Sequence, residues 1–201
     1  MLARRLGFDF LDTGAMYRAV TLAALRANGP LDDEVYLSSL LHGMRLDLPA
    51  GHVMLNGEDV AGLIRTPQVT ASSGKIADSR AVRTQLVQWQ REIAAGRDIV
   101  CEGRDQGTLV FPNAEAKFFL EASEEERAER RHREMQAKGE AITFEEILES
   151  QRRRDARDAC RDIAPMRPAP DAIRIDSTAM SLENVVRMME EIVRTRAQAS
   201  E

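Results

Sequence analysis

Phe8-Asp9-Phe10-Leu11-Asp12-Thr13-Gly14-Ala15-Met16-Tyr17-Arg18 decides the fold class. Gly7 closes a helical end over residues 1 to 6, and the apolar Phe8 to Leu11 then predict a short strand. A helix is expected from about Ala15 until Asn28-Gly29-Pro30 stops it. Where a strand turns into a helix, backbone N–H groups are free to meet an anion, and Arg18, one turn in, adds a charged fork. Taken alone, the stretch fits an anion site or an ordinary helix cap with a surface arginine.

The alternation continues along the chain. Asp33 to Met44 predicts a helix, and LDLP, VML and the Asn56-Gly57 turn predict a small hairpin. Ser79 opens a long helix whose apolar stripe, Val82, Leu86, Trp89 and Ile93, faces a core until Gly96. Ile99 to Cys101 and Ala116 to Leu120 are expected as buried strands. Ser123 with Glu126 and Thr143 with Glu146 have capping-box spacing and open two helices, separated by the hinge-like Lys138-Gly139-Glu140. Ala172 to Ile175 is a last strand, and Ser181 caps a last helix. Strands alternating with helices imply an α/β fold with a mostly parallel sheet covered on both faces and ligands at the strands' C-terminal ends.

The 201 residues, 43% apolar and 30% charged, suffice for one core. A net charge of −5 counts against a general nucleic-acid binder. Only Lys75, Lys117 and Lys138 are lysines, so nearly every cation is an arginine, the better bidentate grip for phosphate. Cys101, Cys160 and the three scattered histidines lack metal-ligand spacing, so reduced thiols and no resident metal site are expected. Asp9 and Asp12 interrupt any signal-peptide core, and no apolar run approaches a membrane span. A monomeric cytoplasmic protein is expected, without membrane or nucleic-acid partners.

Two further constellations could carry chemistry. Glu102-Gly103-Arg104-Asp105-Gln106-Gly107-Thr108 follows a strand, and its glycines let the backbone approach a ligand beside one cation and one acceptor. A tight turn with a structural ion pair is the alternative. Arg154, Arg157, Asp158 and Arg161 recur at i, i+3, i+4 and i+7, on one face of the helix capped by Thr143. Such a stripe suits a polyphosphate, or it is a salt-bridged solvated face. Arg127, Arg130 and Arg131 repeat it across the Gly139 break, in the manner of a lid that closes on phosphates.

These motifs, together with Gly57-Glu58-Asp59-Val60, Ile64-Arg65-Thr66, Leu109-Val110-Phe111-Pro112 and Ile175-Asp176-Ser177-Thr178, stand in an order and spacing that resembles bacterial cytidylate kinases over essentially all of the chain. The resemblance implies a P-loop nucleoside monophosphate kinase core with a nucleotide-binding insert at 30–97 and a lid at 124–161, in a single kinase domain spanning 1–201. It implies transfer of the ATP γ-phosphoryl to CMP or dCMP with Mg2+, within pyrimidine metabolism. Carried to matching positions, Arg18, Arg104 and Arg161 would grip the monophosphate, Thr13, Asp105 and Asp158 would face the sugar, and Arg83 the cytosine. Arg154 and Arg157 would reach the transferring phosphoryl from the lid. This fits a reaction that needs positioning and charge neutralisation more than covalent help.

The sequence departs from the family in two places. Gly74 stands where the family commonly has a serine that touches cytosine, which leaves the choice among CMP, dCMP and UMP open. The family's first strand and its Gly-rich loop (P-loop) ending in Gly-Lys-Gly/Ser-Thr precede the helix whose tail is residues 1 to 6, and this sequence lacks them. Losing one preorganised donor can cost roughly 3–4 kcal/mol of transition-state stabilisation. Residues 1–201 alone are therefore expected to bind CMP weakly and ATP hardly at all, with Met1 a misplaced start or the edge of a fragment. A non-catalytic nucleotide-binding pseudo-kinase and a subunit complemented by another chain are the alternatives.

Overall fold

The computed structural model describes residues 1–49 and 51–199. They form two compact units, Ala3–Gln106 and Gly107–Glu201, the latter joined by Met1–Leu2. In the first unit, α1 (Leu2–Leu6) ends at Gly7, whose φ of +75° favours glycine, and β1 (Asp9–Asp12) leads into α2 (Thr13–Arg26). The predicted strand is shifted by one residue and the helix starts two residues early, because Asp12 acts as the N-cap. Met16, Val20, Leu37, Ile64, Ile76, Val82 and Leu86 are buried in one core between α2, α3 (Glu34–His42), α4 (Pro67–Asp78) and α5 (Arg80–Ala94). Burying such a side chain stabilises by about 1.5–3 kcal/mol. The predicted stripe of α5 faces this core, with Trp89 and Ile93 at its edge.

The expected hairpin has a third strand: β2 (Leu46–Asp47), β3 (Met54–Leu55) and β4 (Glu58–Asp59) pair antiparallel. Asn56 and Gly57, at φ of +52° and +87°, make the tight β3–β4 turn. Glu58 accepts two bonds from Arg26, at 2.6 and 2.8 Å, which ties this sheet to α2. A short 3₁₀ turn, Leu63–Arg65, is anchored by buried Ile64 and leads to α4. β5 (Ile99–Glu102) pairs in parallel with β1, in the register Asp12↔Glu102.

In the second unit, β6 (Phe118–Glu121) and β7 (Ile173–Asp176) form a parallel pair. Lys117, just before β6, is buried with its ammonium on Asp171 at 2.7 Å. α6 (Glu124–Ala137) and α7 (Phe144–Cys160) flank Gly139, whose φ is +76°. Thr143 forms the full capping box with Glu146, whereas Ser123 accepts from the Glu126 amide. Ser181 accepts from the Asn184 amide at 3.2 Å and starts α8 (Leu182–Ala199). The architecture is thus mixed α/β with parallel strand pairs, as expected.

Candidate nucleotide site

The C-terminal ends of β1 and β5 lie side by side, and three hydrogen bonds set the local geometry. Buried Thr13 donates its hydroxyl to the Glu102 carbonyl at 2.6 Å. Asp12 Oδ1 accepts from the Ala15 amide at 2.9 Å, so one helix-start N–H expected to be open to an anion is taken by the chain's own carboxylate. Arg18 Nη2 reaches Asp12 Oδ2 at 3.4 Å, a long contact for an ion pair. Its guanidinium lies back over the helix start, where a Cβ on Gly14 would come within 3.3 Å of Nη1. Arg18 Nε is buried with no partner among the described residues. Desolvation lowers the Arg18 pKa, Asp12 and Glu102 oppose this, and Arg65 adds to it. Glu102, exposed at its tip, is pushed up by partial desolvation and then by Asp12, against the pull of Arg18 and Arg104.

Beneath the loop that follows β5, Arg83 and Asp105 form a buried ion pair, their side chains 4% and 5% exposed. Arg83 also donates to the Ala77 carbonyl at 3.0 Å and stands 5.8 Å from the Tyr17 ring centroid. Its Nε is buried and has no partner among the described residues. Arg83 on α5 is thus an ion-pair partner of Asp105. Gly103 could be no other residue without movement, since a Cβ would meet Gln106 Nε2 at 2.6 Å and Thr13 Oγ1 at 2.8 Å. Arg104 follows on the exposed side of this loop. Gln106 Nε2 donates to buried Gln90 Oε1 at 3.2 Å and pins the loop to α5.

In the second unit, buried Asp158 accepts from Arg161 Nη2 at 2.7 Å, and Arg154 Nε lies 3.8 Å from its other oxygen. Arg161 departs from the expected helical stripe: α7 ends at Cys160, and Arg161 is its extended C-cap. Arg154 and Arg157 are exposed on α7. The arginines repeated on α6 each have a protein partner in the structure. Arg127 pairs with Asp155, Arg130 donates to the Ser177 carbonyl at 2.6 Å, and Arg131 pairs with Glu134 at 2.6 Å. Arg127 holds α6 against α7 and Arg130 holds it against the segment after β7, whereas the Arg131 pair stays within α6. Gln151 Nε2 adds a bond to the Arg127 carbonyl at 3.3 Å, and Arg152 one to Glu124 at 2.7 Å.

Sequence reasoning assigned no role to Arg65, although it lay in a quoted motif; the structure brings it to Asp12 Oδ2 at 3.4 Å, beside Arg18. No spacing rule signals a partner 53 positions away. Among the described residues no group of three His, Cys, Asp or Glu could hold a metal ion, and no helix is long and apolar enough to cross a membrane.

Comparison with known proteins places the chain in a family. The sequence profile of cytidylate kinase matches residues 1–195. A cytidylate kinase of Pasteurella multocida is 45% identical over 92% of this chain and 83% of its own length. One of Carboxydothermus hydrogenoformans is 45% identical over 96% and 89%, and one of Geobacter sulfurreducens 44% over 100% and 88%. The profile covers nearly the whole chain and these relatives match it over most of both lengths, so the chain belongs to the cytidylate kinase family.

Proposed function

We propose that this chain is the (d)CMP-binding body of an ATP-dependent kinase that forms CDP or dCDP. The observation that carries the nucleotide site is the buried Arg83–Asp105 pair at the strand-end loop, with an orphaned Arg83 Nε. Taking two charges out of water is expensive, and removing either partner is worse. A donor left without an acceptor in such a place suits one of the two cytosine acceptors, O2 or N3. Asp105 and Thr13 then serve the sugar. Arg18 and Arg104 flank the end of β1 and β5 and grip the monophosphate, and Arg161 is assigned to the same phosphate and Asp158 to the sugar. The insert is assigned to 30–97 and the lid to 124–161.

ATP and Mg2+ enter this reading through the family. The described residues do not offer ATP a cradle lysine: Lys75 pairs with Asp32 at 3.5 Å, Lys138 with Glu134 at 2.5 Å, and buried Lys117 with Asp171. What the site's own residues do is bind and orient: arginines neutralise the acceptor phosphate so that its oxygen can approach a second polyanion. Arg154 and Arg157 on α7 are assigned to the transferring phosphoryl. Calorimetry with CMP, dCMP, UMP and AMP tests the reading. CMP or dCMP should bind more tightly than AMP, and equal affinities would remove the cytosine assignment of Arg83.

A further inference from the structure

Arg18 and Arg65 approach the same carboxylate oxygen, Asp12 Oδ2, each at 3.4 Å. The other oxygen of Asp12 is committed to the Ala15 amide. One carboxylate oxygen thus faces two guanidiniums, neither of which makes a short charge-assisted bond to it, and Glu102 acts on Arg18 without a hydrogen bond among the contacts described. Desolvation is the main force against the protonated form of Arg18; Asp12 opposes it, Arg65 adds to it, and Glu102 opposes it more weakly. Crowded cations above a helix start are relieved by an anion with more charge than one carboxylate carries.

The two arginines are held differently. Arg18 sits on α2 and is largely enclosed, whereas the Arg65 side chain is 65% exposed. Its backbone is nonetheless anchored, because Ile64 beside it is fully buried and Pro67 starts α4 two residues on. A long side chain on a fixed base, with its head in solvent, can swing a few ångströms without moving the core.

We propose that Arg65 is a phosphate-binding residue of this site, exchanging its shared contact with Asp12 for the monophosphate of the bound nucleotide. The proposal rests on the functional reading above and adds a residue that the reading does not contain. Asp12 acts as the placeholder: it keeps both guanidiniums near the helix start until a dianion arrives, then retains its bond to Ala15. The phosphate gains a cation from the segment between β4 and α4, in addition to those on α2 and after β5.

The test is calorimetry of the wild-type chain, Arg65→Gln and Arg65→Lys with CMP and with cytidine, which lacks the phosphate. Arg65→Gln should weaken CMP by about tenfold or more, and Arg65→Lys less, with cytidine unchanged. Melting temperatures should stay within a few degrees, since an exposed pair contributes little stability. Unchanged CMP affinity in Arg65→Gln, or equal losses for CMP and cytidine, overturns the proposal while leaving the functional reading intact. A wild-type chain that prefers cytidine to CMP, or binds neither, overturns that reading and the proposal with it.

Discussion

Breaking the Arg83–Asp105 pair should separate what this buried contact does for stability from what it does for binding. The side chains are only 4% and 5% exposed, so Asp105→Ala leaves an arginine charge in the interior. The expected loss is about 3–5 kcal/mol, a large part of a typical total of about 5–15 kcal/mol. Arg83→Leu should cost a similar amount, because it takes the arginine from the buried Asp105 carboxylate and also removes the bond to Ala77 and the position over Tyr17. The double variant Arg83→Leu/Asp105→Leu strands no charge. It should lose only about 1–2 kcal/mol, from the Ala77 carbonyl and the Tyr17 contact. Urea unfolding of the wild type, both single variants and the double variant gives the coupling energy directly. CMP binding should nevertheless vanish in the double variant although it folds. Single variants within about 0.5 kcal/mol of wild type, or a double variant that loses the full sum, would refute the reasoning.

Four further outcomes are expected. Glu34 accepts from Ser79 and from the Arg80 and Ala81 amides at 2.8–3.0 Å; desolvation raises its pKa, but these bonds outweigh it and the net shift is downward from 4.5. Its stabilising effect is therefore present above about pH 4.5 and lost as pH falls through the lower folded value, so Glu34→Gln should be less stable than wild type at neutral pH, with the difference shrinking in acid denaturation curves. Gly103→Ala should weaken CMP binding by displacing Gln106 and Thr13, which a calorimetric titration measures, and an unchanged affinity would mean that the loop relaxes freely. Burial pushes the Cys101 thiol up to about 11, while Cys160 is exposed; in a thiol titration at pH 8, Cys160 should react promptly and Cys101 only on unfolding. Asp158→Ala should hurt CMP and dCMP unequally, and equal losses would count against its sugar role.

Much of the fold was legible because its signals are local. Gly7 before an apolar run, the Ser79 and Thr143 caps, and the Asn56-Gly57 turn each act within a few residues of themselves. Helix α4 was missed because Gln68 to Asp78 is rich in Ser, Thr and Gly, with Val69 and Ile76 its only buried bulky side chains. Pro67 at its first turn was the available signal. The strands of the small sheet are two residues long, too short to show alternation.

The site was legible in part, for a related reason. Residue type and strand-end position picked out Arg18, Arg104 and Asp105, but not who pairs with whom. Asp105 accepts from Arg83, 22 positions away, a partner that no local spacing signals. The partners of Arg127 and Arg130, Asp155 and Ser177, lie 28 and 47 positions off and no helical spacing signals them. Helical spacing carried Arg161 one residue too far, past the end of α7.

The most direct measurement is a crystal structure of the chain with CMP bound. The account predicts the phosphate held by Arg18, Arg104 and Arg161, with the cytosine at Arg83. A nucleotide bound with its phosphate away from these guanidiniums, or its base away from Arg83, would contradict it.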